Sequence, residues 1–158
     1  MDLVIGIDPG YTTGVCVLSF DADHVTGVVI ESRQLVWNDR FELLPLIVQY
    51  LPKKDTLTLH VVVEDFRLYG HKAQDQINNS FPSVNVIGVL DLVAHLNSIH
   101  LNMQMASMIS KVAVLPEHLP YLIKSEHTRD AYKHARYHAI VRLRYIHVSS
   151  PGLPAQSS

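Results

Sequence analysis

Two periods of apolar residues run along this chain. The segments 3-LVIGI-7 and 14-GVCVLSF-20 are nearly continuous apolar runs, and between them lies a turn, 8-DPGYTT-13, that opens with a carboxylate. They read as two strands joined at Asp8. The stretch 26-TGVVIESRQLVW-37 is β-branched and apolar and reads as a third strand, with Asp21 and Asp23 marking the turn before it. In 39-DRFELLPLIVQYL-51 the spacing becomes helical behind an N-cap aspartate, and Pro45 predicts a start or kink near it. The run 57-LTLHVVVEDF-66 has the pattern of a strand buried on both faces and carries Glu64 at its end.

Further on, 84-VNVIGVLDLVAHLNSI-99 is spaced as a helix and 101-LNMQMASMI-109 as a strand. The segment 125-SEHTRDAYKHARYHAIVRLRYI-146 is spaced as a long helix capped by Ser125. Met103, Met105 and Met108 read as core. Residues 52–55, 69–83 and 113–120 read as connections and 149–158 as a disordered tail. Three leading strands suggest an antiparallel meander, and the later strands, alternating with helices, should pair parallel. The prediction is one α/β domain over 1–148, a mixed five-stranded sheet with helices on both faces.

Composition narrows the class. The chain has 158 residues, 47% hydrophobic and 18% charged, which suits one globular domain with a real core. No apolar run approaches the ~20 residues that span a bilayer. No basic and then apolar leader opens the sequence, so secretion is not expected. The single cysteine, Cys16, lies in a predicted strand and reads as a small core residue, consistent with a reducing cytoplasm. The formal net charge is −2, but six of the thirteen basic residues lie from Lys124 onward beside only two acids. The C-terminal segment is therefore locally basic in an acidic protein, either a solvated helix face or a phosphate-facing one.

The carboxylates suggest chemistry. Asp8 ends the first strand, and Glu64 ends the fourth, which should lie beside the first. His127 and Asp130 are three apart and share a helix face. Ala131, Ala135 and Ala139 form a small-residue stripe that lets the helix lie close to a sheet. Three carboxylates and an imidazole gathered there need a cation among them. Hard oxygen ligands suit Mg²⁺ or Mn²⁺, and a pair of such ions suits phosphodiester hydrolysis. His134 and His138 lie near the same face; a zinc site there is a weaker reading than packing against the sheet or lining the cleft.

GIDPGYTTG, VVVEDF and HTRDAYKHA, in that order and spacing, resemble the RuvC Holliday-junction resolvases of the RNase H-like superfamily, particularly the short bacteriophage type. Actin-like ATPases and sugar kinases use a similar opening loop but need two such domains. The resemblance implies Asp8, Glu64 and Asp130 as metal ligands, with His127 at a fourth position, as ligand and proton acceptor. It implies two Mg²⁺ or Mn²⁺ ions, cleavage to 5′-phosphate and 3′-hydroxyl ends, and branched DNA as substrate: four-way junctions, forks or flaps. It also implies a homodimer formed through residues 84–98. The family wedge phenylalanine falls at Arg67, flanked by Phe66 and Tyr69 as substitutes. Lys72, Lys111, Lys133 and Arg136 are the candidate phosphate contacts. An RNA- or hybrid-directed nuclease and a non-catalytic nucleic-acid-binding module are the alternatives.

Overall fold

The computed structural model describes residues 1–21, 27–52, 57–65, 81–109 and 121–145. Strands β1 (Asp2–Asp8), β2 (Thr12–Phe20) and β3 (Val28–Val36) form the antiparallel meander. A 3₁₀ turn (Trp37–Glu42) leads into helix α1 (Leu43–Gln49). Strand β4 (Thr58–Glu64), helix α2 (Pro82–Asn97), strand β5 (Leu101–Gln104), the short helix α3 (Ala106–Ile109) and helix α4 (Glu126–Val141) follow. The sheet order is β3-β2-β1-β4-β5, with β4 parallel to both β1 and β5. The expected mixed five-stranded sheet is present, and β1 and β4 are neighbours. Among the described residues no helix is long and apolar enough to cross a membrane.

Both faces of the central strands are covered, which explains their unbroken apolar runs. Ile5 and Ile7 of β1, Val15 and Val17 of β2, and Val61 and Val63 of β4 pack with Leu43, Leu46, Ile47, Val86 and Leu90 of α1 and α2. The alternate positions, Val4, Cys16, Leu18, Phe20 and Val62, pack against Ala131, Tyr132, Ala135 and Ala139 of α4. Cys16 is a buried core residue, as its place in the strand suggests.

The observed elements depart from the expected ones at their ends. The strand expected over 101–109 stops at Gln104, where its ladder partner β4 also ends at Glu64 and Asp65 N–H donates to Gln104 O at 2.7 Å. The chain then turns into α3. Met103 and Met105 are exposed rather than core, because β5 is an edge strand. Pro45 falls in the first turn of α1, where its missing N–H has no intrahelical partner to lose. Helix α4 ends at Val141 rather than 146; the chain leaves it with Tyr145 N–H donating to Ala139 O and the Tyr145 hydroxyl donating to Asp2 Oδ2.

Candidate active site

Strand parity aims the acidic residues at α4. Val4 and Gly6 point to the α4 face, so Asp8, two residues on, does as well. Glu64 follows Val62 in the same phase, and Gln104 lies opposite Glu64 in the β5 ladder. The carboxyl ends of β1, β4 and β5 thus present Asp8, Glu64 and Gln104 along one rim of the sheet, beneath the helix.

Two glycines let α4 come down to that rim. A Cβ on Gly6 would stand 2.0 Å from Ala131 O, and one on Gly14 would stand 2.0 Å from His127 O. Any side chain at either position would push the helix backbone away. Small residues on the facing helix, Ala131 and Ala135, complete the approach. The start of α4 is fixed by a capping box. Thr128 N–H donates to Ser125 Oγ at 3.1 Å, and Ser125 N–H donates to Thr128 Oγ1 at 3.0 Å. Ser125 caps the helix as expected, and this cap sets the rotational phase of His127 over Asp8.

The contacts fall into three acid–base pairs. His127 Nδ1 lies 2.9 Å from Asp8 Oδ2. Lys133 Nζ donates to Asp130 Oδ1 at 2.5 Å. His134, fully buried, lies with Nε2 3.3 Å from Glu64 Oε2 and Nδ1 3.1 Å from Gln104 Oε1. Burial pushes the Asp8 carboxyl up to about 6; the His127 hydrogen bond opposes that rise and the Glu64 charge adds to it. Glu64 is held below the usual glutamate range chiefly by the His134 hydrogen bond, against its own burial. The two carboxyls end neighbouring parallel strands and influence each other's titration, with Asp8 the more readily protonated of the two.

His127 therefore meets Asp8, and Glu64 lies on the neighbouring strand end. Asp130 sits one turn further along α4, engaged by Lys133. Among the described residues no group of three or more His, Cys, Asp or Glu is arranged to hold a metal ion. Each carboxylate instead has its own basic partner. The zinc reading of His134 and His138 gains no support: His134 faces Glu64, whereas His138 packs 5.2 Å from the ring of His60.

The expected nucleic-acid contacts divide. Phe66, Arg67, Tyr69, Lys72 and Lys111 lie outside the described residues. Lys133 stands at the site. Arg136 does not suit its expected role: it is 8% exposed, and its Nη1 donates to the buried Tyr132 hydroxyl at 3.0 Å. A phosphate would reach it only if that packing were undone. His134 and Gln104 are site residues that periodicity alone did not single out. The available signal was the strand phase shared by Glu64 and Gln104, aimed at the same stripe of α4.

Solved structures share this arrangement. RuvC of Thermus thermophilus in complex with a Holliday junction substrate superposes with a TM-score of 0.67 at 14% identity, over 90% of this chain and 96% of that one. A second structure of Thermus thermophilus RuvC gives 0.64 at 14% identity, over 90% and 97%. The Fowlpox virus resolvase in complex with Holliday junction DNA gives 0.55 at 10% identity, over 87% and 96%. No protein-family model and no curated protein matches the sequence. At these identities the likeness is one of fold: the chain has the RNase H-like fold in the arrangement seen in RuvC.

Proposed function

We propose that this chain is a divalent-metal-dependent, structure-selective DNA endonuclease that cuts four-way junctions as a homodimer. The observation that supports this most is the meeting of Asp8 and Glu64 on adjacent parallel strand ends under the His127–Asp130 face of α4, in a fold shared with junction resolvases. The donor set suits Mg²⁺ or Mn²⁺. Its oxygens are hard, and two carboxyls end neighbouring strands, with the burial of Asp8 penalising its charge until a cation compensates. Asp8, Glu64, Asp130 and His127 are the residues that would hold two ions. When bound, such ions supply Lewis-acid stabilisation of phosphoryl charge and a lowered pKa for water.

The chain's own groups do the rest. His127, half-exposed on the first turn of α4, has its ring oriented by Asp8 and is placed to take a proton at Nε2. His134 donates from Nε2 to Glu64 and holds that carboxylate in one orientation. Gln104 Oε1 lies 3.1 Å from the ring's other nitrogen, Nδ1, and steadies the imidazole from the far side. His134→Leu is expected to cut single-turnover cleavage on the order of 10–100-fold and to raise the Mg²⁺ concentration needed for half the maximal rate. His134→Gln, which keeps a donor, should recover part of both; circular dichroism checks that each variant folds.

Pairing of two copies is supported by α2. Val84, Gly88, Leu92 and Leu96 recur every fourth residue on its outer face, and Leu92 and Leu96 are 58% and 66% exposed. Among the described residues a Cβ on Gly88 would meet nothing within 4 Å, so their packing does not require a glycine that costs the helix about 0.5–1 kcal/mol. A second copy packed closely on that stripe explains it. Light scattering is expected to find a dimer at micromolar concentration, and Leu92→Arg a monomer that nicks junctions without paired incisions.

The function is tested by incubating the protein with a four-way junction, a flap, an RNA–DNA hybrid and a linear duplex, with and without Mg²⁺. Preferential, Mg²⁺-dependent cutting of the junction is expected. Preference for the hybrid would make it an RNA-directed nuclease, and binding without any cutting a non-catalytic module.

A further inference from the structure

The opposite end of the rim carries a feature that the proposed chemistry does not use. Tyr11, three residues after Asp8, is 68% exposed and stacks on Trp37, with ring centroids 6.4 Å apart and planes 5° from parallel. The Arg40 guanidinium lies 4.3 Å from the centroid of Trp37 and 4.3 Å from that of Phe41. Its Nη1 donates to Trp37 O at 2.9 Å, which fixes its position and leaves its remaining N–H groups for another acceptor. The groups come from two chain segments brought together at the end of the β2–β3 ladder, where Thr12 pairs with Val36.

The stack is held in place before any ligand arrives. Gly10 N–H donates to Thr13 Oγ1 at 3.3 Å and Thr13 Oγ1 donates to Gly10 O at 3.1 Å, bracing the turn that presents Tyr11. The inner side of Trp37 packs against the core beneath α1 and α2. Folding gains little from the outer groups: no residue of the 3₁₀ turn is buried. A rigid, exposed π-face beside a fixed guanidinium, contiguous with a phosphodiester-cutting site, suits nucleic acid. The ring offers stacking that any base can use, and the arginine offers a phosphate donor.

We propose that the Tyr11–Trp37–Arg40 stack is a base-stacking platform that receives a nucleobase unstacked from branched DNA beside the cut site. It lies at the β2–β3 end of the rim, on the far side of β1 from Glu64, and it rests on the nuclease reading above. Stacking on Tyr11 would hold the strand leading to Asp8 in a splayed geometry that a continuous duplex does not offer, so the platform favours branch points.

Trp37 is the only tryptophan in the chain, so its emission reports on this surface alone. The experiment titrates the full chain with a fixed four-way junction in Ca²⁺, following Trp37 fluorescence beside a gel shift, with an unbranched duplex as comparison. The junction is expected to quench Trp37 more strongly than the duplex does. Tyr11→Ala should weaken junction binding roughly 5–150-fold with an unchanged salt slope, and Tyr11→Phe should restore it. Arg40→Ala should lower the salt slope by about 1. Junction binding that leaves Trp37 emission unchanged, or Tyr11→Ala binding as tightly as the parent, would overturn the platform while leaving the nuclease reading in place. Failure of the parent protein to bind junction and duplex alike would overturn both.

Discussion

Asp8→Asn is expected to abolish junction cleavage while leaving junction binding intact. On the proposed function the carboxylate would hold metal at a buried rim, whereas DNA would be held by cations, stacking groups and shape. Losing Lewis-acid stabilisation worth several kcal/mol corresponds to a rate loss on the order of 10³-fold or more. The same variant should change stability in a pH-dependent way. Burial raises the Asp8 carboxyl from 3.8 to about 6 without metal, so the folded state holds this proton more tightly than the unfolded chain does. That contribution is present below about pH 4 and is lost as pH rises through about 6, on the order of 3 kcal/mol in all. Asparagine carries no charge to bury. Without metal, Asp8→Asn should therefore melt above the parent at pH 7, and the gap should close towards pH 4. Mg²⁺ should raise the parent's melting temperature at pH 7 and leave the variant's nearly unchanged. Gel shift, single-turnover cleavage and thermal melts check the three parts.

Gly14→Ala is expected to damage both fold and activity, although it adds only a single methyl group. The new Cβ would stand 2.0 Å from His127 O, 2.2 Å from His127 C and 2.8 Å from Thr128 N. All three are backbone atoms of the capped first turn of α4, so no flexible side chain can yield. The helix must lift off β2, which separates His127 from Asp8. Overpacking of this kind costs about 1–3 kcal/mol. Displacing a positioned group by about 1 Å lowers rates on the order of 10²-fold. Denaturant unfolding and single-turnover cleavage measure the two effects. A variant as stable and active as the parent would mean that the close approach of α4 does not build the site.

Sheet and helix order were legible because the central strands are buried on both faces and the helices keep their period. Asp8 and Glu64 were legible as rim residues, since each follows an apolar run that ends at it, and the strand–helix alternation makes β1 and β4 neighbours. Ser125 announced the start of α4, and with it the facing of His127. His134 was legible only as packing against the sheet or lining the cleft, because a histidine in the sheet-facing stripe of a helix fits either place until its partner is known. That partner, Glu64, and Gln104 beyond it emerge only once β5 is seen to stop level with β4. Tyr11 and Trp37 were silent for a related reason. Each is an isolated aromatic, and only the hairpin register between β2 and β3 brings them together. Arg136 misled in the opposite sense: charge alone marked it as a phosphate contact, whereas its place one turn after Tyr132 turns it inward.

The most direct test of the account maps the products of one fixed four-way junction cut in Mg²⁺ by the parent protein and by Asp8→Asn. The account predicts symmetric, paired incisions in opposing strands that DNA ligase can reseal, requiring 5′-phosphate and 3′-hydroxyl ends, and none with the variant or in EDTA. Cleavage of equal rate by Asp8→Asn, or cutting that persists in EDTA, would contradict it.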